Sequence, residues 1–288
     1  MKNKLCFLML LSLITFGNSQ SLLEQLDKER QDQPTFTHST FKGTRVGVGH
    51  SVETRKKNTL EVSFLSRYWN TPNPNSDSFF VDKMSVRIGV DYGISDRLTY
   101  GVGYASINSV LDNFLKYRLI RQKDNGKTPF SLTLLQTAAY RALDEPRLQG
   151  ESFSDRLLLS TQLLIARKFS RNFSFQIAPT FTNNGGLARG VDDINQFSIG
   201  FAGRYKLKGH TSIFSEYFYV ANPLNSAKTY GLFSLGVNWD LSDLLLQFKM
   251  TNNGHFSENL FITQTRRNFN FKDGNFFFGF NAIYFIQL

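Results

Sequence analysis

The chain has 288 residues, a formal net charge of +10, 29 phenylalanines, 11 tyrosines and one cysteine. One cysteine excludes a disulfide framework, and after the first 20 residues nothing approaches the roughly 18 consecutive apolar residues of a membrane-crossing helix. The basic residues are dispersed rather than clustered, which argues against nucleic acid as a partner.

Residues 1–19 read as a secretory leader. Lys2 and Lys4 precede an apolar run from Leu5 to Phe16, and Gly17 and Ser19 supply the small residues of a cleavage site. Cys6 falls inside the leader rather than just after its apolar run, so a lipid anchor is not expected. Without Lys2 and Lys4 the chain keeps 31 basic against 23 acidic residues, a net charge of +8. Residues 20–58 form an expected periplasmic N-terminal region. In it Ser21–Gln33 makes a short amphipathic helix on Leu22, Leu23 and Leu26, and Gln31–Pro34 a polar linker. Thr35–Lys57 combines Gly43, Gly47 and Gly49 with mixed charges, which suits neither a lipid-facing strand nor an exposed helix.

From residue 59 the period is two, as side chains leaving a strand on alternate sides require. Thr59–Trp69 sets Leu60, Val62 and Phe64 against Glu61, Ser63 and Arg67; Phe80–Tyr92 sets Val86, Ile88 and Val90 against Arg87, Gly89 and Asp91. Leu98–Ala105 sets Tyr100, Val102 and Tyr104 against Gly101, Gly103 and Ala105. Further strands are expected at Asp112–Gln122, Phe130–Tyr140, Arg156–Lys168, Phe173–Thr182, Asn195–Leu207, His210–Val220, Tyr230–Asp240 and Leu244–Asn252. The last, Asn275–Leu288, carries an unbroken apolar face of Phe276, Phe278, Phe280, Ala282, Tyr284, Ile286 and Leu288. An edge this greasy is an aggregation hazard in water, and is explained if the strand faces lipid and pairs with the first strand.

Tight turns at Gly93–Arg97, Ser170–Asn172, Lys208–Gly209 and Leu241–Asp243 alternate with longer polar connections, of which Asn253–Gly274 is the longest. Strict alternation is the pattern of an outer-membrane barrel with short periplasmic turns and larger external loops. Residues 59–288 therefore predict an all-β transmembrane antiparallel up-and-down barrel of about 12 strands with both termini periplasmic. Adding Thr35–Val46 and Leu260–Asn270 would make 14 and put the short turns outside.

The segments Phe41–Arg45, Gly49–Thr54, Asp91–Leu98 and Phe114–Leu119 resemble those of a family of bacterial outer-membrane β-barrel proteins of unassigned function. The resemblance extends over most of the mature chain. It implies the barrel and offers no catalytic residues to carry over.

No catalytic, cofactor or metal motif is present: there is no G-x-S-x-G, H-E-x-x-H, phosphate-binding glycine loop or cysteine pair. A His210–Ser212 pair for an embedded lipid hydrolase lacks a third partner, and a His38–His50–Glu53 metal site is equally thin. The informative constellation points inward by parity: Glu61, Arg67, Arg87, Asp91, Lys116, Arg118, Arg204, Glu216 and Lys249. It reads either as a salt-bridged filling or as a polar path whose basic excess favours anions. Residues Phe41, Lys42, Gly43, Arg45, His50 and Glu53 are candidates for a luminal plug. The expected function is a narrow channel or uptake protein for small polar or anionic solutes, with no enzymatic role. The alternative is a non-conducting barrel that anchors periplasmic or surface proteins. Outer-membrane lipid and the barrel-assembly machinery are the expected partners in either case.

Overall fold

A computed structural model describes residues 36–37, 39–70, 82–142, 152–185, 192–272 and 275–288. The leader, the Ser21–Gln33 helix and His38 lie outside the described residues, as do residues 71–81 of the first connection. Twelve strands form one closed antiparallel barrel: β1 (Thr59–Trp69), β2 (Lys83–Ser95), β3 (Leu98–Ala105), β4 (Val110–Ile120), β5 (Ser131–Arg141) and β6 (Leu157–Lys168). They continue as β7 (Phe173–Asn183), β8 (Asn195–Lys206), β9 (Thr211–Val220), β10 (Leu232–Leu241), β11 (Leu244–Thr251) and β12 (Phe277–Gln287). Each strand pairs with its sequence neighbours, and β12 closes on β1 from Thr59 opposite Gln287 to Tyr68 opposite Phe278. Closure leaves no edge strand, the condition for strands to cross a bilayer.

The greasy parity points outward. Phe64, Ile88, Val90, Val102, Leu115, Leu134, Ile177, Phe201, Val237, Phe248 and Tyr284 are all exposed on the outer wall. The opposite parity is buried: Glu61, Ser63, Leu65 and Arg67 on β1, and Ser85, Arg87 and Asp91 on β2. This is inverted relative to a soluble barrel and fits hydrocarbon outside. No described helix is long and apolar enough to cross a membrane.

Thr35–Val46 and Leu260–Asn270 supply no strands among the described residues, so the expected count of 12 holds over 14. Two local expectations are corrected. Arg156 ends a four-residue helix, α1 (Phe153–Arg156), instead of opening β6. The alternation of connections is not strict. The β3–β4 link needs only residues 106–109, because a 3-10 turn packs Ile107 on the interior while Ser106 N donates to Val86 O at 2.8 Å. At the terminal end, the β4–β5 link is ten residues, 121–130, and hosts the entering chain: Phe36 bridges Lys123, and Thr37 N donates to Gln122 O at 3.0 Å.

Candidate luminal site

A barrel of twelve strands encloses space that the inward side chains alone need not fill. Here residues 39–56 enter from the terminal end, and 40–54 are buried apart from Lys42 and Glu53. Their core is a small hairpin. Val46 N donates to Gly49 O and Ser51 N to Thr44 O, both at 2.9 Å, with Arg45 bridged to His50. At the tip, Gly47 has no room for a side chain: a Cβ there would lie 2.1 Å from the Phe214 ring.

Buried backbone groups must find partners, and this short hairpin cannot supply its own. The wall does. Glu216 accepts from Val48 N at 2.7 Å and from Gly49 N at 3.0 Å; Lys249 donates to Gly47 O, and Gln247 to Val46 O at 2.6 Å. Across the bore, Glu61 accepts from Thr44 N at 3.2 Å, and the Thr44 hydroxyl is 2.7 Å from Asp91 Oδ2. The Lys116 ammonium places its three protons on Thr44 O at 2.5 Å, Ser51 O at 2.9 Å and Glu53 O at 3.3 Å. Gln176 donates to His50 O at 2.8 Å and accepts from Val52 N at 2.7 Å, while Thr133 donates to Val52 O at 2.7 Å. The hairpin is thus held by strands on every side of the ring.

A second segment enters from the opposite end. Residues 252–265 of the β11–β12 connection turn into the barrel and form α2 (Glu258–Thr263), whose six residues are all buried. The expectation of a long external loop is therefore corrected over this stretch. The two segments meet at one carboxylate: Glu258 Oε1 lies 3.2 Å from Arg45 Nη1 and 3.2 Å from His50 Nε2. Asn259 fastens α2 to the wall by donating to Leu159 O at 2.9 Å and Asn183 O at 3.0 Å.

The structure places eight of the nine inward candidates in the buried interior, and Arg204 half-buried 3.6 Å from Asp240. Arg87 is held by Asp112 through two bonds, at 2.8 and 2.6 Å, and the Arg67 guanidinium lies 4.9 Å from the Phe256 ring centre. Arg118 pairs with Glu53 at 3.0 Å, and Lys42 reaches Asp240 at 3.5 Å. Phe41 is buried among Val46, Val52, Phe114, Leu135 and Phe214, and Gly43 takes the Ser51 hydroxyl on its carbonyl at 2.7 Å. Sequence reasoning missed Asp112, whose inward parity is visible on β4, and Glu258, for which no periodic signal exists. It also missed the apolar inward side chains Phe114, Phe214 and Phe218, which pack on the hairpin and α2.

The alternative chemistries do not assemble. His210 is exposed in a turn, while Ser212 is buried and bonded to Arg204 Nε at 3.1 Å. His50 and Glu53 face different partners, and the described residues contain no cluster of three metal-ligating side chains. Outside the packed zone, a cleft of about 630 Å³ at the terminal end is lined by Lys42, Arg55, Lys56, Arg118 and Arg121 with Glu53, Asp96 and Asp243. At the loop end a cleft of about 350 Å³ is lined by residues including His255, Gln264, Arg266, Arg267 and Phe277.

A family model described as "Membrane bound beta barrel domain (DUF5777)" matches residues 41–285. That span includes the hairpin as well as the wall. No curated protein matches the chain. Among solved structures it is similar to the NanC porin at 10% identity, covering 79% of this chain and 99% of that one, with a TM-score of 0.49. It is also similar to the KdgM porin (8% identity, 78% and 98% covered, TM-score 0.47). A third is the COG4313 outer membrane channel from Pseudomonas putida F1 (14% identity, 81% and 97% covered, TM-score 0.48). These likenesses are too distant to transfer a solute or a residue role.

Proposed function

The chain belongs to the membrane-bound beta-barrel family DUF5777 and is an outer-membrane barrel, and from that premise we propose that it passes small polar solutes through a bore its own chain holds shut. The observation that carries this reading is the hairpin's anchorage. Its buried backbone groups are held by side chains, Glu216 and Lys249 on one wall and Glu61 and Lys116 on the other, and not by a sheet. Such a segment can leave as a unit if wall and hairpin are both rehydrated. The interior then exposed favours anions modestly. Apart from Arg45, which leaves with the hairpin, six basic residues (Arg67, Arg87, Lys116, Arg118, Arg141, Lys249) against five acidic (Glu61, Asp91, Asp112, Glu216, Glu258) are buried among the described residues. The basic surplus in the terminal-end cleft has the same sign. That end is assigned to the periplasm, where short turns are expected in such barrels. Insertion by the barrel-assembly machinery and contact with outer-membrane lipid follow from the same reading.

A second reading has its own support. Phe41, Val46 and Val52 bury apolar surface against Phe114, Leu135, Leu164 and Phe214, which a permanently solid barrel anchoring periplasmic or surface proteins would also need. Planar-bilayer conductance separates the two. The channel reading predicts a quiet intact chain and discrete currents, larger for chloride than for potassium, in Glu216→Gln and in a chain lacking 36–54. Heat-modifiable migration serves as the check that the barrel forms. Silence from every folded variant would favour the anchor.

A further inference from the structure

The charges that grip the hairpin are not distributed evenly around the ring. From Ser131 on β5 through β6 and β7 to Ala202 on β8, the inward residues are uncharged except at the two rims, Arg141 at the loop end of β5 and Lys168 at the terminal end of β6. In the middle of this neutral wall the register aligns two rows. Gln162 faces Thr180, which faces Ser198; one step toward the loop end, Ser160 faces Thr182, which faces Gln196. At about 4.8 Å between strands, each row extends roughly 10 Å across three strands.

These side chains are buried yet under-used. Gln162 is 1% exposed, and neither its amide oxygen nor its amide nitrogen has a protein partner; the same holds for the Ser160 and Ser198 hydroxyls. The Asn259 amide oxygen, on the helix that fastens to β6 beside them, is also without one. Buried polar groups are ordinarily satisfied, and a cluster of orphans in a native interior needs a cause. Packing on one side is supplied by the hairpin, through Val52 against Leu135, Leu164 and Ala178, and on the other by α2. The orphans lie between these two closures.

We propose that Ser160, Gln162, Ser198 and Asn259 form an occluded binding site for an uncharged polyhydroxylated solute, a monosaccharide or polyol, on the β5–β8 wall. The chemistry selects this class. The set offers an amide donor, two amide acceptors and two hydroxyls that both donate and accept, which matches hydroxyl groups in either role. It holds no cation to balance a carboxylate or phosphate, and burying an unpaired charge there is costly. The site rests on the passage reading for its route of access, since hairpin or helix must move to admit a solute. It refines that reading by routing a neutral solute past the third of the ring whose middle is uncharged.

The test is ligand-observed saturation-transfer NMR on the full chain in detergent micelles, using glucose and, as a charged probe of similar size, gluconate. Parallel samples carry Glu216→Gln to ease access. Saturable glucose binding at least fivefold tighter than gluconate is expected in one or both backgrounds. It should weaken at least tenfold in Gln162→Leu or, if that variant loses heat-modifiable migration, in Ser198→Ala. No glucose binding in either background, gluconate binding as tight, or full affinity in the folded site variants overturns the proposal. Glucose binding in a barrel that never conducts would support the site and overturn only the passage reading.

Discussion

At the scale of single residues, the interior is decided by fit. Gly89 and Gly103 face each other beneath Arg87, and a Cβ on Gly103 would lie 2.4 Å from its guanidinium carbon, so the bidentate Arg87–Asp112 pair exists because two neighbours lack side chains. Removing one partner strands the other in a dry site, so Arg87→Ala is expected to cost about 3–5 kcal/mol of unfolding free energy, read by urea titration in lipid vesicles. Gly47→Val drives a branched side chain into Phe214 and should cost about 1–3 kcal/mol by overpacking, with the hairpin loosened first. His255, in the β11–β12 connection, gives the pH dependence. Burial, and then the Arg266 guanidinium, push its imidazole down to about 4 from an ordinary value near 6.5. Between those values the unfolded chain takes up the proton and the folded chain does not, so its contribution to stability is present above 6.5 and lost as pH falls toward 4. Heat-modification midpoints at pH 7.5 and 4.5 should differ less in His255→Gln than in the native chain.

At the scale of elements, each strand separates two solvents. Val90 is exposed on the outer wall between the buried Gly89 and Asp91. Val90→Arg should cost about 2–4 kcal/mol in bilayers, the range for a cation near the midplane of a barrel's lipid face. An equal destabilisation in micelles and in thin and thick bilayers would argue against lipid contact there. The period of two made the wall legible: β1 and β3 have the bounds that alternation predicts, and the inward set from Glu61 to Lys249 follows from parity. What fills the wall was less legible for a physical reason. The 44–51 hairpin has almost no ladder of its own, so its conformation is written in Glu216, Lys249, Gln176 and Lys116, distant in sequence. α2 is a six-residue helix whose burial depends on meeting Arg45, which no local pattern encodes. Phe214 and Phe218 look like faults in the alternation of β9 until the hairpin and α2 supply the surfaces they pack on.

At the scale of the whole molecule, the barrel is a lipid-facing shell around a packed interior contributed by its own N-terminus and by the connection before its last strand. The polar network between shell and filling is satisfied largely by side chain to backbone bonds, which makes the filling specific in position yet separable from the ring. The most direct measurement of this arrangement is thiol labelling, since the only cysteine, Cys6, lies in the expected leader. In the folded protein reconstituted in vesicles, Val48→Cys should resist a small water-soluble maleimide from either side and react fully only on unfolding, while an exposed Lys127→Cys reacts at once. Val48→Cys labelling in the folded barrel as fast as Lys127→Cys would contradict the filled bore on which the account depends.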